Sequence, residues 1–220
     1  MNSKVLLGAS TLLMLAALYM VFIYVPTEKM GIVQRIFYLM VPVGWLAMLS
    51  FLIIFVSSIL YLTKRESKWD IIAYSAAEIG LIFISLALIV GSIWAKPIWG
   101  VWWSWEARLT ATLVLWFIYI TYLMVRSFAT DESRGARFAA VVAIIGFIDI
   151  PVVALATTLW RGLHPPMMIF QGDVDPPMLA TLLVSIAAFT SLYFLLLIER
   201  VSIKHGENKI KKLRASHTRG

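Results

Sequence analysis

Six stretches of this chain are apolar for long enough to cross a lipid bilayer, and nothing else in the sequence restricts its fold as much. A helix needs about 20 apolar residues to span the hydrocarbon. The stretches cover roughly residues 5–25, 41–63, 71–94, 107–125, 137–158 and 178–198. Lipid offers no hydrogen bonds to a backbone, so each span is expected to be helical. Composition points the same way: 61% of the residues are hydrophobic and 14% charged, against about 45–50% and 25% in soluble domains. A water-soluble fold of 220 residues has no interior large enough for that much apolar surface. This excludes a soluble enzyme, a nucleic-acid-binding domain and a disordered linker. The expected fold is all-α, a polytopic membrane protein with six transmembrane helices over residues 1–203 and a basic cytoplasmic tail over 204–220.

The first span begins after Lys4 as a signal peptide would. Its apolar run is long for one, and no small-x-small site precedes Val25-Pro26, so a retained helix is expected. Orientation follows from Lys and Arg, which favour the cytoplasmic side. With the N-terminus inside, Lys4, the loop with Lys64, Arg65 and Lys68, the loop with Arg126, Arg134 and Arg137, and the segment from Arg200 onward hold 14 of the 19. Lys29, Arg35, Lys96, Arg108 and Arg161 fall outside. Both termini are therefore expected in the cytoplasm, with outward loops at 26–40, 95–106 and 159–177. His205 and His217 lie in the basic tail and are expected in solvent, near anionic lipid headgroups.

The outward loops carry the unusual chemistry. Trp94, Trp99, Trp102, Trp103 and Trp105, five of the nine tryptophans, fall within twelve positions. An aromatic belt at the membrane interface is the simple reading, but a belt spreads one or two Trp over each helix end. Five in one loop suggest an apolar shelf for a planar hydrophobic ligand, since indole faces give large contact area at low entropic cost. Lys96, Arg108 and Arg161 would pair with carboxylates of that ligand. His164 is the one outward His, and Pro165-Pro166 stiffens the chain after it. Met40, two residues before Pro42, is either core filler or a thioether ligand. An iron porphyrin held by His and Met is a known arrangement. The chain has no Cys, which removes disulfides, thiolate metal sites and covalent haem attachment through C-x-x-C-H.

Two acids lie within spans. Glu78 in the third sits near the cytoplasmic end, either wet or part of an intramembrane polar site. Asp149 in the fifth is deeper, and intramembrane acids usually face the bundle interior or a polar partner. Its role is either repair of the polar network opened by Pro151 or a part in haem passage or proton movement.

WGVWWSWEARLT, residues 99–110, closely resembles the WGxWWxWDxRLT signature of the CcmC family, haem-handling membrane proteins of cytochrome c maturation. GSIWAKPIWG matches the approach to that signature, QRIFYLMVP resembles the family's RxxYxHVP entry to helix two, and FIDIPVV and LWRGLHPP resemble its fifth helix and following loop. The related CcmF and CcsA-type proteins share the Trp-rich character, and the ending Arg108-Leu109-Thr110 favours CcmC. Two departures stand out: the family's first axial His falls at Met40, and the signature's Asp is Glu106. The resemblance implies non-covalent haem b on the outer face, over Trp99, Trp102, Trp103 and Trp105, with His164 as one axial ligand. Met40, water or an exogenous His is the other. It also implies the partners: ABC transporter subunits (CcmA/CcmB-like), a small single-helix subunit (CcmD-like) and a periplasmic haem chaperone (CcmE-like), toward which Glu106 would orient an incoming imidazole. No G-x-x-x-x-G-K-[ST] loop is present, so ATP dependence would come from a partner, and a haem exporter or assembly factor is expected rather than an enzyme. The rivals are a secondary transporter or channel subunit for another hydrophobic anion, which would line a pathway with Glu78 and Asp149, and a CcsA-like cytochrome c haem lyase component.

Overall fold

The computed structural model describes residues 3–27, 31–160, 162 and 175–217. Every element among them is helical. Helix α1 (Ser3–Tyr19) ends in a π-turn, Met20–Tyr24; a 3₁₀ turn, Gly31–Val33, leads into α2 (Gln34–Lys64). Then follow α3 (Ser67–Trp99), α4 (Ala107–Phe128), α5 (Glu132–Gly146), α6 (Asp149–Leu159) and α7 (Pro176–His217). Six spans are long and apolar enough to cross a membrane, with α5 and α6 together forming the fifth. The expected count holds.

Three boundaries differ from the sequence reading, each for a local reason. Helix α2 starts at Gln34, not 41, because residues 34–40 bury one side. Tyr38 is 1% exposed in a small cluster with Val21, Val25 and Leu182, which joins the ends of α1, α2 and α7. The fifth span is broken at Phe147–Ile148. Pro151 has no N–H for the carbonyl of Phe147, and the chain uses shorter bonds there, Ile150 N to Phe147 O at 3.1 Å and Ile148 N to Ile145 O at 3.2 Å. Helix α7 runs on to His217, so the basic segment from Lys204 continues the sixth span. His205 is exposed as expected. The side chain of His217 lies outside the described residues.

Helix ends are fixed by ordinary chemistry. Arg65 at φ 57° ends α2, and Gly100 at φ 77° ends α3, its N–H bonding Lys96 O at 3.0 Å; glycine adopts this left-handed conformation at no side-chain cost. Asp131 caps α5 by accepting from Ser133 N at 2.8 Å. That bond holds its carboxyl below the usual range.

The core lies between α2, α3, α4, α5 and α7 and includes Leu46, Phe51, Ile54, Ile84 and Leu115. Tyr119 crosses it from α4. Its hydroxyl donates to Ala47 O on α2 at 2.7 Å, and its ring passes over Gly80 of α3 so closely that a Cβ there would lie 2.5 Å from the ring. Ser50 Oγ extends the network, 3.2 Å from Ala76 O and 2.8 Å from the Tyr193 hydroxyl. Gly80→Ala is therefore expected to destabilise the bundle by about 1–3 kcal/mol, the usual range for overpacking. Gly44, with nothing near its missing Cβ, is the control. Thermal melting in detergent should show a clear drop for Gly80→Ala and none for Gly44→Ala.

Candidate functional site

The tryptophans gather where α3 ends, the chain crosses residues 100–106 and α4 begins. Gly100 turns the chain out of α3. Lys96 Nζ donates to Gly100 O at 2.9 Å and stands 6.0 Å from the centre of the Trp102 ring. The expected ligand cation is thus partly engaged in closing its own helix.

The five indoles do not share one plane. Trp94, 5% exposed on the inward side of α3, meets Trp99 edge to face at 5.2 Å. Trp103 meets Trp105 edge to face at 5.8 Å with the rings 78° apart. Trp102 and Trp105 are the exposed members, at 59% and 76%. Two perpendicular pairs leave faces on Trp102 and Trp105 open, and they hold Trp94 and Trp103 as supports.

The same end of the bundle has hydrogen-bond donors without acceptors. Arg35 Nε, Trp94 Nε1, Trp103 Nε1 and Ser104 Oγ are buried and have no partner among the described residues. Each such orphan costs roughly 1–3 kcal/mol. Three are N–H groups, which only donate, so a ligand with carboxylates fits them and a cation does not. Arg35 also lies 5.4 Å from the Phe22 ring centre. Met40, half-buried, is on the stripe of α2 that includes Val43, Ala47 and Ile54, the stripe facing the core. It is the outermost of these four, at the mouth of the bundle.

Glu106 precedes α4 and does not cap it. It lines a small polar cleft with Arg108, Thr157, Trp160 and Gly162, where α4 begins and α6 ends. Thr157 Oγ1 is buried there without a partner among the described residues. The structure thus joins Glu106 to Arg108 and brings Trp160 and Thr157 beside them. Arg161 and His164 lie outside the described residues, as do Met167 and Met168.

The two intramembrane acids differ. Glu78 is neither free nor simply wet: Arg200 on α7 grips both its oxygens, Nε to Oε2 at 2.7 Å and Nη2 to Oε1 at 2.8 Å. Nearby, Arg126 of α4 bonds Asp70 of α3 at 2.6 Å, and Lys204 Nζ sits 4.7 Å from the Tyr74 ring centre. Asp149 opens α6 at the break of the fifth span, with Oδ2 buried and unpartnered among the described residues. It shares a face of α6 with the buried Val153 and Ala156, pointing toward α4.

The family model CcmC, "Heme exporter protein C", matches residues 2–216. The heme exporter protein C of Bradyrhizobium diazoefficiens is 35% identical over 191 residues, covering 85% of this chain and 73% of that one. The corresponding protein of Escherichia coli strain K12 is 32% identical over 172 residues, or 78% and 70% of the two chains. A cytochrome c biosynthesis ccmC-like mitochondrial protein of Marchantia polymorpha is 32% identical over 200 residues, or 88% and 85%. The chain belongs to the CcmC family. It is a haem-handling, multi-pass protein of the cytoplasmic membrane, in cytochrome c biogenesis.

In this CcmC-family chain the sequence reading missed the residues that need three-dimensional pairing. Arg200 lies 122 positions from Glu78, and no local pattern joins them. Arg35 was placed outside but given no task. Trp160 and Gly162 entered only as part of the LWRGLHPP match and were given no task, and Thr157 carries no motif. The Glu78–Arg200 pair yields a stability test. Glu78→Ala leaves a half-buried guanidinium without its partner and should destabilise by roughly 1–3 kcal/mol. Glu78→Ala with Arg200→Leu should recover part of that loss, since removing both charges is less costly than orphaning one. Detergent melting of the two variants checks the order.

Proposed function

We propose that this CcmC-family protein binds non-covalent haem b at its Trp-bearing end, on the periplasmic face, and presents it to a CcmE-like chaperone. Haem here is cargo. The observation that carries this reading is the set of buried donors without acceptors among the described residues at that end, Arg35 Nε, Trp94 Nε1, Trp103 Nε1 and Ser104 Oγ, beside the exposed indoles of Trp102 and Trp105. A haem is flat, apolar and edged with two carboxylates. Its faces suit the indoles of Trp99, Trp102, Trp103 and Trp105, and its propionates suit the orphan donors and the charges of Lys96, Arg108 and Arg161.

His164 and Met40 are the proposed iron ligands. Met40 supports this by its place at the outer end of the inward stripe of α2. A soft thioether opposite imidazole favours reduced iron. Glu106, beside Arg108, faces the approach of a chaperone and would hold its imidazole. Both termini are cytoplasmic in this reading, which puts the Lys- and Arg-rich loops inside. The chain works as part of an ABC-type haem exporter with CcmA/CcmB-like subunits supplying ATP hydrolysis and a CcmD-like single-helix subunit.

Hemin titration of the purified protein, read at the Soret band, tests the site. Replacing Trp102, Trp103 and Trp105 together by Ala removes three indoles, each worth about 0.5–1.5 kcal/mol beyond burial, so affinity should fall by about ten- to a thousandfold. His164→Ala should abolish or shift the band, and Met40→His should lower the reduction potential. Unchanged binding in the Trp variant would make those residues interface anchors, and an unchanged spectrum and potential in Met40→His would make Met40 packing.

A further inference from the structure

The Glu106 side chain lies against the backbone of Gly162. A Cβ built on Gly162 would stand 2.6 Å from Glu106 Oε2 and 3.5 Å from both Cβ and Cδ of the same residue. Real Cβ atoms do not approach an oxygen that closely, so the carboxylate occupies the space an alanine would need. Gly162 is outside the left-handed φ region, unlike Gly31 and Gly100. Backbone freedom is therefore no reason for glycine here; what a side chain at 162 would meet is the terminal oxygen of Glu106, which must turn away from its present position to make room.

The contact sits at an informative place. Glu106 directly follows Trp105, and its extended backbone (φ −74°, ψ 159°) turns the chain from the Trp loop into α4, whose first bond runs from Thr110 N to Glu106 O at 3.0 Å. The side chain does not cap α4; it reaches across to the chain leaving α6. Gly162 follows the end of α6 and precedes His164 by two positions. The contact thus ties the two outer loops that the haem reading needs. Glutamate is one methylene longer than the aspartate of the signature, about 1.5 Å of reach. That added length ends where Gly162 lacks a side chain.

We propose that Glu106 and Gly162 are a size-matched pair, in which the absent Cβ at 162 positions the Glu106 carboxylate beside Arg108 and sets the Trp loop against the chain that leaves α6. Gly162 is a positioning residue that acts through Glu106. The functional half of this inference rests on the haem reading; the steric half does not.

A double-mutant cycle tests it with Glu106→Asp, Gly162→Ala and the two combined, in detergent, read by melting temperature and by hemin titration. The added methyl forces the long carboxylate aside, so Gly162→Ala alone should weaken hemin binding by about tenfold and lower the melting temperature. Glu106→Asp alone should weaken binding by about threefold, and the double variant should bind no worse than Glu106→Asp, a coupling of opposite sign to additive loss. In the Asp background the methyl meets no oxygen, and Gly→Ala then stabilises through the unfolded chain, so the melting temperature should hold or rise. Additive losses, or a Gly162→Ala protein that behaves like the parent, would overturn the pairing. A parent that takes up no hemin overturns the haem reading instead, and the melting temperatures alone then decide the pair. If Gly162→Ala does not accumulate, Glu106→Asp must restore it or the pairing fails.

Discussion

The hydroxyl of Tyr119, donating to Ala47 O at 2.7 Å across the bare backbone of Gly80, shows what the bilayer demands. Hydrocarbon supplies no hydrogen bonds, so a polar group inside the bundle must be satisfied by the bundle. One phenol joins three helices, and a glycine makes the crossing possible. Ser50 and Tyr193 repeat the device one layer on, tying α2 to α3 and α7. These contacts fix α2, α3 and α4 relative to one another, and the proposed site is built on the Trp-bearing ends of those three helices.

Both ends of the bundle face that demand, and toward the charged end Trp69 Nε1, Ser58 Oγ and Ser75 Oγ are also buried without a partner among the described residues. At the charged end, Asp70 and Glu78 on α3 have guanidinium partners from α4 and α7. At the Trp-bearing end a guanidinium nitrogen, two indole N–H groups and a hydroxyl are buried with no acceptor among the described residues. Orphans of that kind are costly, and native proteins tend to keep them where something else completes them. A carboxylate-bearing flat ligand would complete them, which is the basis of the proposed haem reading.

Much of this was legible in the sequence. Six long apolar runs became six spans, and the density of Trp between residues 94 and 105 pointed to the loop on which the proposed site is built. What was not legible depends on contacts far apart in the chain or on small features of local geometry. The fifth run was read as one helix although Pro151 was in view, because apolar runs show length and not interruptions. The start of α2 was set too late because Gln34 and Arg35 look like loop residues until the burial of Tyr38 is known. The Trp run suggested one flat shelf, and ring orientations, which spacing does not encode, made it two perpendicular pairs. Glu78 was left open between wet and functional since its partner, Arg200, comes from the last helix. Asp149 stands at the break of the fifth span, with Oδ2 buried and unpartnered among the described residues.

Tryptophan fluorescence during hemin titration in lipid nanodiscs tests the central claim most directly, because haem quenches indoles close to it. If haem binds over the Trp loop, emission from Trp102, Trp103 and Trp105 should be quenched saturably at one hemin per chain, and Trp69→Phe, which removes an indole at the opposite end, should leave the quenched amplitude unchanged. Quenching that never saturates, or whose amplitude falls in Trp69→Phe, would contradict a site at the Trp-bearing end.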